Sequence, residues 1–338
     1  MTEDDSTVPA DNQQSGERSF TEFFAAEIAP GLPEVEAGRK ELRQSAYTRA
    51  AGLAFVLALV VAITAAFTDA WPIGLVVAAA GAVGGAFWVS APSRRHREAM
   101  RGLVIEPLQR FLGALEYHRK PGERFDLDRF RRSGITAGFN RAKLEDLLIG
   151  RYRGTDYRMV EARLKQRRRS SGRRSSNKNR QRTVFSGLLC EVSVPQPFAC
   201  TVLLVGDKGP LGNRIVDWLR AKMTNLSAVE TGQEAFEARY QVYSDRPEEA
   251  RGLLQPALLE SLLAIADAAG RGAVNCAFME NRFLIAIPRR ENLFEIGRLN
   301  RSLEHAEEDV RRLAVELTLP QRLIDYLHGD RPPLFPEK

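Results

Sequence analysis

The residues with the clearest potential for chemistry form a glycine loop between a predicted strand and a predicted helix. A strand over Thr201–Val205 leads into Gly206, Gly209 and Gly212, and a helix is expected over Ile215–Met223. A loop of this kind can cradle phosphates with its backbone N–H groups. These glycines are spaced 1, 4, 7 rather than 1, 3, 6, and no Gly-Lys-Ser/Thr follows them. An ordinary turn before a helix is therefore the preferred interpretation.

Metal sites and nucleophilic catalysis are not indicated either. The four histidines are far apart in the sequence, and Cys190, Cys200 and Cys276 lack the spacing of metal-ligand pairs or of a disulfide framework. Cys190 and Cys200 lie in apolar strand contexts, where a thiol behaves as a small hydrophobic side chain. We therefore predict no catalytic residue, no metal, no cofactor and no enzyme activity, with an active site assembled from distant residues as the alternative.

The strongest charge bias lies in residues 163–182, which contain ten cations, several serines and no acidic residue. Such a stretch buries too little apolar area to offset its ordering entropy, so we expect a disordered basic loop at 167–181, at the end of a hairpin. Anionic lipid headgroups are its favoured target, and nucleic acid is disfavoured because aromatic residues for base stacking are missing. The candidate contacts are Arg167, Arg168, Arg169, Arg173, Arg174, Lys178 and Arg180.

Two uncharged apolar runs exclude an ordinary soluble protein. They cover residues 50–67 and 71–91, and the shorter run spans roughly 27 Å as a helix, enough for the bilayer core. The polar, acidic residues at the start of the sequence do not predict a signal peptide. The short loop at 68–70 contains no Lys or Arg, whereas basic residues lie before the first run and after the second. The positive-inside rule therefore predicts a multi-pass protein of the cytoplasmic (inner) membrane, with both termini in the cytoplasm.

Small residues recur at every fourth position in both predicted spans. Such ridges let helix backbones approach closely in lipid, where apolar burial gives no drive for association. Packing of the two helices against each other is the favoured use of these ridges, and homo-oligomerisation through the same face is the alternative. The small residues are Ala54, Ala58 and Ala62 in the first span and Gly81 and Gly85 in the second.

The rest of the chain predicts an α+β protein. Residues 1–18 are polar and acidic, so we expect a disordered N-terminus. Amphipathic and juxtamembrane helices are expected over 19–49, either lying in the membrane interface or packed on the folded domain. A cytoplasmic α+β domain with a mainly antiparallel sheet is expected over 92–329, followed by a short tail at 330–338.

Local patterns place the elements of that domain. Helices are expected over 94–117, with a proline at 107, and over 247–265 and 299–317, with short helical pieces at 127–131 and 142–148. The last long helix carries a short coiled-coil-like seam, for which packing on the domain's own sheet is favoured. Asn281 is expected to take the positive-φ position of a tight turn. The expected strands are 152–164, 183–192, 200–205, 236–243, 274–279 and 282–287.

Several motifs between Asp146 and Glu295 point to a known family. They are D-L-L-I-G-R-Y-R-G from Asp146, F-E-A-R-Y-Q-V-Y-S-D from Phe236 and R-F-L-I-A-I-P from Arg282. Together with the preceding apolar hairpin, they resemble the bacterial two-span membrane-protein family catalogued as domain of unknown function 3137. The resemblance implies two spans and a mixed α+β cytoplasmic domain, and it carries over no catalytic residue.

The second of these motifs also has a structural interpretation. Phe236, Tyr240 and Val242 are expected to face the core from a strand, and Ser244 and Asp245 to cap the next helix. The function favoured by the whole sequence is therefore that of a binding or scaffold domain at the inner face of a lipid bilayer. Its partner is expected to be another protein or a small ligand, and a second copy of the chain is the alternative protein partner.

Overall fold

The computed structural model describes residues 20–67, 71–113, 115–167, 181–194, 196–206, 225–269, 274–289, 292–294 and 296–328. The expectations for residues 1–18 and 330–338 lie outside these ranges. The fold is mixed α+β, as predicted, and the chain divides into two compact units. One unit comprises Met1–Phe111 and Phe294–Leu313, and the other comprises Leu112–Leu293 and Ala314–Lys338.

Three long helices build most of the first unit: α1 (Leu32–Phe67), α2 (Trp71–Val89) and α3 (Ala91–Leu112). Pro33 lies in the first turn of α1, where its missing N–H has no intrahelical acceptor to lose. The expectation that a juxtamembrane helix continues into the first apolar run is confirmed, because α1 is one unbroken helix of 36 residues. Helices α1 and α2 pack along each other.

The segment before α1 packs within its own unit. A π-helical turn at Phe24–Ile28 and a 3₁₀ turn at Ala29–Gly31 follow the first helical residues, and the side chains of Phe20, Phe24 and Ile28 are buried. The ring of Phe23 stacks on that of Phe111 at a centroid distance of 4.3 Å. Of the two alternatives for this amphipathic segment, the structure therefore shows packing on folded protein.

A single antiparallel sheet forms the second unit. Among the described residues it has nine strands in the order β1-β2-β3-β4-β9-β8-β5-β7-β6. The prediction of a mainly antiparallel sheet is thus confirmed. The strands are β1 (Leu115–His118), β2 (Arg141–Tyr152), β3 (Thr155–Arg167), β4 (Gln181–Ser193), β5 (Val202–Gly206), β6 (Ser227–Ala228), β7 (Tyr240–Ser244), β8 (Asn275–Met279) and β9 (Arg282–Pro288).

Strand β4 lies in the middle of the sheet and is buried on both faces. On one face, Leu189 belongs to a core cluster that includes Phe130 of α4 (Leu127–Ser133) and Leu284 of β9. The neighbouring residue Cys190 is also fully buried, and its side chain points to the opposite face because side chains alternate along a strand. The near-continuous apolar run of β4 therefore reflects burial on both sides.

Helices of the second unit cover part of the sheet and connect its later strands. They are α5 (Glu234–Glu237), α6 (Pro247–Leu253), α7 (Pro256–Ala269) and α9 (Leu319–Leu327), and α8 (Ala306–Leu317) contains the boundary between the two units. Helix α9 packs against β3 and β4, and α7 packs against β9.

The helical piece predicted at 142–148 is wrong, because these residues lie in β2. The pairing of β2 with β3 shifts register between Glu145 and Leu148, and Asp146 adopts a positive φ of 56° there. Such a bulge inserts an extra residue and resets the alternation of side chains. Leu144, Leu147 and Leu148 consequently imitate the spacing of a helical face.

Several predicted elements have different bounds. The helix expected over 94–117 ends at Leu112, Gly113 follows with a φ of 92°, and Leu115 begins β1. The helix expected over 247–265 is two helices, α6 and α7, and the second begins at Pro256, whose missing N–H prevents continuation. The strand expected over 236–243 is the short helix α5 followed by β7.

Turn and cap details also differ from expectation. In the β8–β9 hairpin Glu280, not Asn281, has the positive φ, at 54°. Asp245 does not cap α6: its carboxylate accepts a hydrogen bond of 2.8 Å from the Thr201 N–H, and the N-cap residue is Arg246. The helix expected from 299 begins only at 306, after a 3₁₀ turn.

Substitution of Gly187 tests the close approach of β4 to β9. A Cβ at Gly187 would overlap backbone atoms of Ile287, Pro288 and Arg289, with the Arg289 nitrogen 2.6 Å away. Because backbone must move to relieve this overlap, we expect Gly187→Ala to lower the free energy of unfolding by about 1–3 kcal/mol. Thermal unfolding of the full chain in detergent micelles, followed by circular dichroism, measures the effect.

Gly252→Ala is the matched control. Gly252 lies in α6, and no atom lies within 4 Å of the added Cβ. Alanine is the better helix former, so this variant should keep or raise the unfolding temperature. An unchanged unfolding temperature in Gly187→Ala would contradict the packing of β4 on β9.

Candidate functional site

The strands on either side of the predicted basic loop pair with each other over a long stretch. Strands β3 and β4 pair as far as Arg167 opposite Gln181, so the intervening residues 168–180 connect two paired strand ends. This hairpin position is the predicted one, but the predicted disorder of the loop falls outside the described residues. Of the seven candidate contacts, the backbone of Arg167 is described and the others lie outside: Arg168, Arg169, Arg173, Arg174, Lys178 and Arg180.

Positive charge continues from the loop onto this end of the sheet. Arg141 on β2 lies opposite Lys165 on β3, and Lys143 lies opposite Arg163. Directly opposite residues share a face of the sheet, and like charges there repel each other. Lys143 forms an ion pair of 2.5 Å with Glu145. A positively charged strip of this kind favours contact with an anionic surface.

The apolar helices pack through the glycines of α2. A Cβ added to Gly81 would lie 3.1 Å from a methyl group of Leu57, and one added to Gly85 would overlap Leu53, both on α1. Ala54, Ala58 and Ala62 are exposed instead. Leucines of α1 thus fit against the glycine ridge of α2, and the alanine ridge faces away from this contact.

A pair of carboxyl groups that no sequence motif indicates lies beside the bulge of β2. Asp146 is buried, and its carboxylate accepts a hydrogen bond of 2.5 Å from the Tyr117 hydroxyl. On the neighbouring strand Glu161 lies opposite Glu145, and the Leu293 N–H donates to its carboxylate. Only the register of β2 with β3 and the bulge at Asp146 bring these groups together, so local spacing could not reveal them.

Burial, together with the negative charges of Asp146 and Glu145, raises the pKa of Glu161 to about 7. Proton exchange near neutral pH is therefore within the capability of this side chain. Among the described residues, no group of three or more His, Cys, Asp or Glu side chains could hold a metal ion.

The cysteines and the glycine loop give no reactive arrangement in the part of the chain that the structure describes. Cys190, Cys200 and Cys276 are free and buried. Burial raises the pKa of the Cys190 and Cys276 thiols well above the usual range, so the nucleophilic thiolate is disfavoured. Gly206 ends β5, whereas the remainder of the glycine loop and the helix expected after it lie outside the described residues.

The comparison with family models matches residues 183–328 to a family described as "Protein of unknown function (DUF3137)". This part of the chain is similar to DUF3137. The resemblance seen in the sequence is thereby confirmed at the level of the family. The DUF3137 match begins in β4 and ends just after α9, so it leaves out the apolar helices, β1–β3 and the basic loop.

Among solved structures, the crystal structure of the mycobacterial trehalose monomycolate transport factor A, TtfA, is similar over 70% of this chain and 98% of that chain, with 13% sequence identity and a TM-score of 0.34. The comparison with curated proteins gives no match.

Within the DUF3137 region, the motif from Phe236 to Asp245 has structural contacts. The rings of Phe236 and Tyr240 stack at a centroid distance of 4.6 Å, and both side chains are buried together with Val242. The Ser244 hydroxyl accepts from the Arg246 N–H at 3.0 Å. These contacts make the motif part of the core, as expected, although Phe236 reaches it from α5 rather than from a strand.

The raised pKa of Glu161 predicts a pH-dependent stability difference. A carboxyl group whose pKa is higher in the folded state than in the unfolded state destabilises the fold as it ionises. Its contribution to the free energy of unfolding therefore declines as pH rises from about 4.5 to about 7. We expect Glu161→Gln to unfold at a higher temperature than the unmodified chain at pH 8 and at a similar temperature at pH 4.5. Thermal unfolding in detergent micelles at the two pH values measures the difference.

The exposed Glu123 provides the control for this experiment. Glu123→Gln should follow the unmodified chain at both pH values. A Glu161→Gln variant with equal or lower stability at pH 8 would show that contacts stabilise the half-buried carboxylate of Glu161 and would contradict the prediction.

Proposed function

We propose that the protein crosses the cytoplasmic membrane twice and uses its α+β unit to bind a partner at the inner face of the bilayer, without chemistry of its own. The observation that carries this proposal is the location of exposed apolar surface. Large hydrophobic side chains that are exposed among the described residues fall in α1 and α2: Tyr47, Phe55, Val56, Leu59, Ile63, Val76, Val77, Val83, Phe87 and Trp88.

Lipid is the environment that this surface fits. Two helical stretches, Phe20–Ala66 and Val76–Leu112, are long and apolar enough to cross a membrane, and the most apolar window of the first is wholly unburied. Exposed patches of such size are costly in water. A bilayer removes this cost, and helices satisfy their own backbone hydrogen bonds within it.

Cations at one end of the helix pair support the proposed orientation. Arg49 donates to the Trp88 carbonyl at 3.2 Å and lies over the Trp88 ring at 5.2 Å. Arg94 donates to the Phe87 carbonyl at 2.8 Å. Arginine and tryptophan are typical of the membrane interface, and clustered cations are typical of the cytoplasmic side. We therefore place both termini in the cytoplasm.

Reporter fusions test this topology. A fluorescent protein fused after Lys338 should fluoresce, and alkaline phosphatase fused at the same position should be inactive, because the phosphatase requires export. As a control, phosphatase fused after Phe67 in a chain truncated there should be active. Phosphatase activity after Lys338 would refute the two-span orientation.

The unit that faces the cytoplasm is proposed to act by binding. We assign it no catalytic residue and no cofactor, and we expect another protein or a second copy of the chain as its partner. Crosslinking in living cells with identification of the captured chains tests this assignment. Turnover of a substrate by the full chain, abolished by a single side-chain change, would replace it with an enzymatic function.

A second candidate function belongs to the basic loop, which we propose to contact anionic lipid headgroups. The like-charged pairs at its base, Arg141 with Lys165 and Lys143 with Arg163, favour this function because an anionic surface relieves their repulsion. Each cation near such a surface contributes about 1 kcal/mol. Nucleic acid is the disfavoured alternative target.

A fluorophore in the loop tests lipid contact. Ser175→Cys introduces a thiol for labelling while the native cysteines are buried. In bilayer nanodiscs, we expect an environment-sensitive dye at this position to shift its emission to shorter wavelength when phosphatidylglycerol replaces phosphatidylcholine, and high salt should reverse the shift.

The control for the lipid experiment replaces the seven loop cations, at 167–169, 173, 174, 178 and 180, by Gln in the labelled chain. This variant should show no response to phosphatidylglycerol. An unchanged response in the variant, or displacement of the loop from lipid by an oligonucleotide at low concentration, would contradict the lipid assignment.

A further inference from the structure

Three arginines converge on one buried carboxylate at the end of the sheet opposite the basic loop. Arg129 of α4 lies 2.5 Å from Glu191 of β4, Arg282 of β9 lies 3.5 Å away, and Arg158 of β3 lies 3.7 Å away, all measured to the same carboxylate oxygen, Oε1. On β3, Arg158 and Arg167 are separated by nine residues, or roughly 30 Å. The two basic regions are therefore distinct.

Strand register and helix capping produce this convergence. Arg158 lies directly opposite Glu191 in the pairing of β3 with β4, and Arg282 lies opposite Ser193 on the other side of β4. Arg129 comes from the first turns of α4, whose N-cap Asp126 accepts from the Asp128 N–H. No two of the three arginines are close in sequence, so sequence spacing gives no sign of the cluster.

Glu191 alone does not balance the charge of this cluster. Its side chain is 1% exposed and has one close partner, Arg129, whereas the other two guanidinium groups lie beyond ordinary hydrogen-bond distance. Asp126 also pairs with Arg129, at 3.2 Å. Three guanidinium groups therefore meet two carboxylates, Glu191 and Asp126, which leaves one positive charge unbalanced. Arg158 and Arg282 share Glu191 as their counter-ion at 3.7 and 3.5 Å.

The three arginine side chains are partly exposed and incompletely hydrogen-bonded. The side chains of Arg129, Arg158 and Arg282 are 28%, 40% and 20% exposed. The Nε atoms of Arg158 and Arg282 are buried and have no hydrogen-bond partner among the described residues. An anion placed beside Glu191 would meet the exposed parts of three arginine side chains that all lie within 3.7 Å of one carboxylate oxygen.

We infer that Arg129, Arg158 and Arg282 form a binding site for a phosphate monoester or inorganic phosphate dianion. The positive charge that Glu191 and Asp126 leave unbalanced favours an anion, and planar guanidinium forks bond to the several oxygens of a phosphate at once. Glu191 holds Arg129 in place and keeps the three cations together in the unliganded site. The phosphate binds beside Glu191, at Arg158 and Arg282, and leaves the pair of Glu191 with Arg129 in place.

Calorimetric titration of sodium phosphate into the full chain tests the site. The chain is held in phosphatidylcholine nanodiscs at pH 8, and sodium chloride keeps the ionic strength constant. We expect saturable binding of one phosphate per chain. Charge-assisted hydrogen bonds of this kind are strong enough that Arg158→Gln or Arg282→Gln should each weaken the affinity about tenfold to a hundredfold.

Arg151→Gln is the matched control, because Arg151 is an exposed residue on the neighbouring strand whose acidic partner is Asp156, at 3.5 Å. It should leave the phosphate affinity unchanged. Arg158→Lys keeps the charge and loses the fork, and it should bind with intermediate affinity. Circular dichroism establishes that each variant is folded, and Arg282→Gln decides the outcome should Arg158→Gln fail to fold.

Glu191→Gln separates a phosphate site from a merely structural cluster. Without the negative charge of Glu191, the three arginines lose the carboxylate that they share. We therefore expect tighter phosphate binding and a larger increase in unfolding temperature on adding phosphate. Absence of saturable binding in the unmodified chain, or equal affinity in the Arg158, Arg282 and Arg151 variants, would overturn the proposal.

A second arm distinguishes the source of the phosphate. In nanodiscs that contain phosphatidic acid, a lower apparent affinity for soluble phosphate, dependent on Arg158, assigns the site to a lipid phosphate. An unchanged affinity assigns it to a soluble phosphate monoester. Both ligands are phosphates. The two results therefore both assume that the site binds phosphate, and they differ only in whether a lipid or a soluble molecule supplies it.

Discussion

The burial of β4 on both faces is the constraint on which the rest of the second unit depends. Its antiparallel neighbours β3 and β9 satisfy its backbone hydrogen bonds, while Leu189 and Cys190 occupy cores on opposite faces. A strand in this position cannot slip by one residue without exchanging its two cores. The fixed register of β4 therefore positions both ends of the strand, with the basic loop at one end and Glu191 at the other.

Apolar surface has two different roles in the two units. In the second unit it is enclosed by the sheet and its helices, where close packing and removal from water stabilise the fold. In α1 and α2 of the first unit it is exposed, and contact between the helices relies on the fit of Leu53 and Leu57 against Gly85 and Gly81. Close van der Waals contact of this kind is typical of helices that associate in lipid.

Positive charge is concentrated at both ends of the β3–β4 hairpin. The elements that carry the charged side chains are more rigid at one end than at the other. At the base of the basic loop, like charges face each other on solvent-exposed strand ends. At the other end, Arg158 and Arg282 extend from the two strands that flank β4, and a buried carboxylate fixes Arg129 beside them. Rigid elements position ligand-binding groups more closely than loops do, which favours small-anion recognition at Glu191 and surface contact at the loop.

The sequence by itself determined the elements that local pattern encodes: the two apolar helices, the hairpin position of the basic loop, the strands β4, β8 and β9, and the α+β class. Tertiary structure alone decided that residues 142–148 form a strand, that Glu161 lies beside Asp146, and that three distant arginines meet at Glu191. Hydrophobic periodicity reports which side of an element is buried, but a bulge resets that periodicity and strand register is set by contacts between distant segments. Sites whose residues are brought together by strand register therefore leave no recognisable pattern in the sequence.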